Sequence, residues 1–86
     1  MKMLIMALVS LMSAAALAAA DCPAAPKEKW MPEDKMKERL VSEGYKIKIF
    51  KVAGNCYEIY GTDKDGKKVE IYFNPVDGSI VKEKRK

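Results

Sequence analysis

The stretch G-N-C-Y-E-I-Y-G-T-D-K-D-G-K-K-V-E-I-Y-F-N-P-V-D-G, residues 54–78, constrains the fold more than any other part of this chain. Its two runs, C-Y-E-I-Y and V-E-I-Y-F, alternate facing positions in the period of a half-buried strand. D-K-D-G lies between them. There Gly66 can take positive φ, and the aspartates can bond neighbouring backbone N–H groups. P-V-D-G closes the far end. Strand, tight turn and strand together read as a β-hairpin. Tyr57 and Ile59 then share one face with Val69, Ile71 and Phe73. Cys56, Glu58, Tyr60, Lys68, Glu70 and Tyr72 share the other.

The flanks complete a small sheet and a helix. Tyr45 to Ala53 reads as a first strand, with Ile47 and Ile49 on one side and Lys46 and Lys48 on the other. Phe50 and Val52 fall out of phase, and a β-bulge near Phe50 would return them to the core face. Ala53-Gly54-Asn55 is a tight turn. Ser79 to Lys82 adds a short fourth strand, and Glu83 to Lys86 is a charged, frayed end. Trp30 to Gly44 reads as the helix: Pro32 at its first position, Glu33 and Asp34 in its first turn, Gly44 as its C′ stop. Met36 and Leu40 share a face, flanked by Val41, and Glu33–Lys37 and Arg39–Glu43 can pair outside. The expected core is Met36, Leu40, Ile47, Ile49, Tyr57, Ile59, Val69, Ile71, Phe73 and Ile80. The expected fold is α+β, two-layer: one N-terminal helix on a three- to four-stranded antiparallel meander.

The first twenty residues read as a signal peptide rather than fold. Lys2 is followed by an apolar run from Met3 to Met12 and a small-residue exit, Ala18-Ala19-Ala20. A membrane anchor and a lipoprotein are the alternatives. The apolar block is short and alanine-rich, and Asp21 before Cys22 is a poor lipidation context. Cleavage after Ala20 leaves residues 21–29 as an extended arm and 30–86 as one domain. So short a domain buries only about 60% of its unfolded surface and is marginal without help. An exported chain with two cysteines supplies that help by a Cys22–Cys56 disulfide. No C-x-x-C is present to make the pair redox-active.

Composition narrows the chemistry. The 86-residue chain has no histidine, which removes the commonest general base and transition-metal ligand. Pairing the cysteines removes thiolate chemistry. Asp63-x-Asp65-Gly66 opens like a calcium loop, but its twelfth position is Asn74, not glutamate. Neither catalytic residues, nor a metal site, nor a cofactor is therefore expected, and the chain reads as a non-enzyme. The net charge of +4 is mixed along the sequence, unlike the one-sided charge of a nucleic-acid binder. Lysines on strand one and the tail read as edge protection against aggregation or as docking for an acidic partner. Tyr60, Tyr72, Glu58, Glu70, Lys46 and Lys48 form the candidate partner-binding face. Its tyrosines serve sheet packing, cover by the arm, or contact with a partner.

The chain resembles the PepSY-like family of small exported bacterial domains. The resemblance rests on W-M-P-E-D-K-M-K-E-R-L, E-G-Y-K-I, and the block from C-Y-E-I-Y through D-K-D-G-K to Y-F-N-P-V-D-G. It implies a helix on an antiparallel sheet and a periplasmic or secreted location; the chain itself is expected to be a monomer. The resemblance also implies a protein-binding role, inhibiting or regulating a peptidase or envelope partner, with no catalytic residues to carry over. The alternative is a small ligand-binding or structural envelope protein with no protease target.

Overall fold

The structure, a computed structural model, describes residues 20–86; the expected leader lies outside the described residues except for Ala20. One helix, α1 (Glu33–Ser42), precedes four strands: β1 (Lys46–Ala53), β2 (Cys56–Thr62), β3 (Lys68–Phe73) and β4 (Ile80–Arg85). The strands form one antiparallel sheet in the order β1-β2-β3-β4. This is the expected α+β meander, with the helix on one face and β1 and β4 at the edges.

α1 starts one residue later than its sequence signals suggest. Pro32 is the N-cap, with extended ψ, and its carbonyl takes the first helical bond from Met36 N–H at 3.0 Å. A proline N-cap offers no side-chain acceptor. The N-terminus is fixed instead by the chain before it: Met31 N–H bonds the Pro75 carbonyl at 2.7 Å, and the Tyr57 hydroxyl bonds the Met31 carbonyl at 2.6 Å. The C-terminus is a Schellman motif. Tyr45 N–H bonds Leu40 O and Gly44 N–H bonds Val41 O, at 3.1 and 3.0 Å, with Gly44 at φ 100°. Arg39–Glu43 pairs at 3.4 Å as expected. On the exposed side Lys35 reaches Glu38 at 3.9 Å; Lys37, expected beside Glu33, sits over the Phe50 ring instead.

The core lies between α1 and the sheet: Trp30, Met36, Leu40, Tyr57, Ile59, Val69, Ile71 and Phe73, with Ile47 and Phe50 packed against it. Two expected core positions, Ile49 and Ile80, are corrected, and Val41, which flanks the helix stripe, also lies outside the core. Ile49 is 46% exposed, Ile80 47% and Val41 60%. The strand-one bulge lies at Lys48, between Ile47 and Ile49, not near Phe50. It returns Phe50 to the core face as anticipated, but one step early, so Ile49 turns to the opposite face. Ile80 opens an edge strand that no layer covers, and Val41 rolls past the narrow contact that Met36 and Leu40 make. Gly61 makes the bulge affordable: a Cβ there would lie 2.0 Å from the Lys46 carbonyl oxygen, closer than any side chain permits.

The tail and the arm are more ordered than their composition suggests. Glu83 to Arg85, expected to fray, continue β4. Arg85 pairs with Asp63 and Glu83, and Lys86 N–H bonds Lys68 O at 2.9 Å. The arm makes a 3-10 turn at Lys27–Lys29, after which Trp30 turns inward. Its indole donates to the Ala25 carbonyl at 3.1 Å and meets the Tyr57 ring edge-on at 5.3 Å. Among the described residues, no helix is long and apolar enough to cross a membrane.

Candidate functional site

The face of the sheet turned away from α1 holds the polar residues singled out in the sequence. Register sets their order. One cross-strand row runs Ile49, Tyr60, Glu70, Lys84, and the next runs Lys51, Glu58, Tyr72, Lys82. Each tyrosine of the hairpin thus lies opposite a glutamate, not opposite the other tyrosine. The two hydroxyls converge on one acceptor, donating to Glu70 Oε2 from Tyr60 at 3.1 Å and from Tyr72 at 3.2 Å.

One end of this face is covered. Cys22 and Cys56 form a disulfide with a Cα–Cα separation of 5.4 Å. It lies with Tyr72 in a second, smaller cluster against Ala20 and Ala53. Tyr72 is consequently buried, at 6% exposure, and its cross-strand partner Glu58 is 2% exposed. Of the residues expected to offer a contact face, Tyr60 and Glu70 are half-buried, while Lys46 and Lys48 are exposed. The arm thus takes Tyr72 out of reach, beside the buried Glu58, and leaves the other end open.

The carboxyls of Glu58 and Glu70 are shifted in opposite directions. Burial first, and then its hydrogen bond to Glu70, push the Glu58 carboxyl up from the ordinary glutamate value. The bond from Glu58 first, and then the tyrosine hydroxyls, hold Glu70 below it. Oε2 of Glu58 is buried and has no hydrogen-bond partner, which adds to the cost of placing a charge there. Lys51 is 3.8 Å from Oε1 of Glu58 and half in water, so it compensates only partly. The two carboxyls raise the Tyr60 hydroxyl to about 12, Glu70 contributing most. Burial and the same carboxyls push Tyr72 up as well.

The sign of the resulting pH dependence follows from the directions. The fold favours the proton on Glu58, so its contribution is fully present below the unfolded value of 4.5 and is lost as pH rises above it through the folded value. Glu70 acts in the opposite window: its contribution is present above 4.5 and lost as pH falls through its lowered folded value. Glu58→Gln keeps the shape of the side chain but cannot ionise. Urea unfolding over a pH series should show wild-type stability declining above about pH 4.5 relative to the variant. Parallel curves would show that Glu58 ionises without cost to the fold.

The open end of the face is basic. A groove of about 570 Å³ is lined by Lys46, Lys48, Lys68, Lys84 and Lys86 around Ile49 and Tyr60. A second hollow, of about 520 Å³, lies at the turn between β2 and β3. It contains Asp63, whose Oδ1 takes the N–H groups of Asp65 and Lys67 at 2.9 Å each, and which Arg85 also contacts. These bonds, Lys67 N–H first, hold the Asp63 carboxyl low. The D-K-D-G motif is therefore spent on its own turn. No group of acidic, cysteine or histidine side chains suited to hold a metal forms among the described residues. Sequence reasoning missed the Asp63–Arg85 anchor.

A family model described as "Peptidase propeptide and YPEB domain" matches residues 2–84. No curated protein and no solved structure matches the chain.

Proposed function

We propose a function from a plain premise: this chain belongs to the peptidase propeptide and YPEB domain family. It acts as a non-catalytic protein-binding module, exported to the periplasm or beyond, that restrains or modulates a peptidase or another envelope protein. Propeptide-type domains work by contact, and that is what the fold offers. The observation that carries the reading is the half-covered sheet face. Its disulfide-pinned end is closed over Tyr72, beside the buried Glu58, and its other end presents Tyr60 and Ile49 beside the open edge of β1. Tyr60 is pre-organised by its bond to Glu70, so little rotamer freedom is lost when a partner covers its ring. The cysteines are joined to each other. The Ser42 hydroxyl bonds Arg39 O and that of Ser79 bonds Asp77 Oδ1, local uses that do not set up a nucleophile. The leader pattern and the disulfide support export.

The test is capture and inhibition with the oxidised chain, residues 21–86. Retention of a defined peptidase or envelope protein from a periplasmic extract, lost with Tyr60→Ala, is the expected result. Tyr60→Ala must keep its amide dispersion, since its hydroxyl also bonds Glu70. No retained protein and no peptidase inhibition at micromolar concentration would leave the structural role in its place.

A further inference from the structure

We infer that the basic end of the sheet face is the recognition site for an acidic, extended segment of a protein partner. Asp or Glu side chains of that segment would flank an apolar residue seated on Ile49 and Tyr60. The inference rests on the protein-binding reading above only in taking a polypeptide as the occupant.

Charge complementarity is the argument. Five lysines, two from β1, one from β3, one from β4 and Lys86 just beyond it, surround one short stretch of sheet. The single carboxylate among the lining residues is Glu70, and its Oε2 is already engaged by two tyrosine hydroxyls. Lys84 faces Glu70. Lys46, Lys48, Lys68 and Lys86 form no ion pair among the described residues. Elsewhere Lys35 and Lys51 have carboxylates within 4 Å and both arginines pair, while Lys29, Lys64 and Lys67 do not, so it is the convergence of its lysines on one hollow that sets the groove apart. Unpaired cations held close on both sides of a groove repel one another, and a negative ligand relieves that repulsion while it gains attraction. Edge protection accounts for a lysine on each edge strand. It does not account for Lys68 on the inner strand β3, nor for convergence on one groove.

The floor specifies more than charge. Ile49 and Tyr60 are direct cross-strand partners. Ile49 is 46% exposed because the bulge at Lys48 turns it outward. The same bulge puts Lys48 at the groove wall. A ligand must therefore satisfy a cationic rim and an apolar centre together, which inorganic anions do not. An extended segment does both, with alternate side chains down on the floor and out to the lysines.

The probe is a fluorescein-labelled pentapeptide with four glutamates flanking a leucine, titrated into the oxidised chain. Its all-lysine counterpart and phosphatidylglycerol vesicles are run beside it. The acidic peptide should bind, shift the amides of Ile49, Tyr60 and Thr62, and be released as salt rises from about 20 mM to about 500 mM, where the screening length becomes a few ångströms. Lys46→Glu with Lys84→Glu should weaken it about tenfold or more, because rim attraction becomes repulsion. Lys35→Glu with Lys67→Glu, an equal change in net charge, should leave it within about twofold. Lys48→Gln with Lys86→Gln provides a milder variant if the reversal does not fold, and should weaken binding severalfold. Equal weakening by the Lys35/Lys67 variant would reduce the effect to net charge and overturn the site. So would an unresponsive spectrum, or binding to vesicles without binding to peptide. The two readings fail separately. A captured partner insensitive to Lys46→Glu with Lys84→Glu overturns this site and leaves the module. Peptide binding as described without any captured protein overturns the module and leaves the site.

Discussion

Ile71→Ala should cost about 2–5 kcal/mol, the range for emptying a fully buried aliphatic position. Ile71 is 0% exposed at the centre of the sheet. It stands across from Ile59, also 0% exposed, and in the same cluster as Met36 and Leu40 from the helix. Ile59→Ala should fall in the same range. Both neighbouring strands hold the backbone there, so the site cannot collapse onto the cavity. For a domain this small, with a urea slope near 1 kcal/mol per molar, the midpoint should move down by about 2 M or more. The informative comparison is a third isoleucine. Ile49→Ala removes the same atoms from a position already half in water and should cost no more than about 1 kcal/mol. Lys67→Ala, on the turn, should stay within about 0.5 kcal/mol of neutral. Equal losses at Ile49 and Ile71 would mean that the bulge does not lie at Lys48 and that strand one presents its other face.

That comparison also locates where the sequence stopped being legible. Within residues 54–78 the alternation is strict and the turns carry their own chemistry, so strand order, buried face and loop geometry could all be read. Gly44 marked the helix end because only a residue free to take φ near 100° closes a Schellman motif there. Strand one was ambiguous for a physical reason: K-I-K-I-F-K-V-A contains two incompatible phases, and only pairing with β2 decides where the extra residue goes. A bulge was required by the pattern, but its position was not. Pairing also decided the tail. E-K-R has no apolar content to propose a strand, yet β3 offers an open ladder and Asp63 offers Arg85 a partner. On the polar face the six named residues do share one side of the sheet. What the pattern could not show is that the arm divides them, because cover by the arm depends on where the disulfide brings Cys22. The lysine groove is equally illegible in one dimension: Lys46, Lys68 and Lys84 are far apart in sequence and meet only through the register of four strands.

Breaking the disulfide, by reduction or as Cys22→Ala with Cys56→Ala, should destabilise the chain by roughly 3.5–4 kcal/mol in the chain-entropy view, for a sequence separation of 34. It should do so without changing the fold class. The bond ties the arm to the start of β2. It is not needed for any strand pair or for the packing of α1 on Ile59 and Ile71. The sheet should therefore survive while the cover over Tyr72 loosens, since Cys22, Cys56 and Tyr72 form that cluster together. Three readouts separate this from global unfolding. Far-ultraviolet dichroism should be retained at low denaturant. The urea midpoint should fall. The raised hydroxyl of Tyr72, which owes its shift first to burial, should titrate closer to the ordinary tyrosine value than in the oxidised chain. Water reaching Glu58 should act in the same direction there, easing its ionisation and flattening the pH dependence assigned to it. A stability change under about 1 kcal/mol, with the Tyr72 titration unmoved, would show that Trp30 and the 3-10 turn hold the arm by themselves. In that case the closed end of the face is built by the arm's packing, and the cysteines only lock it.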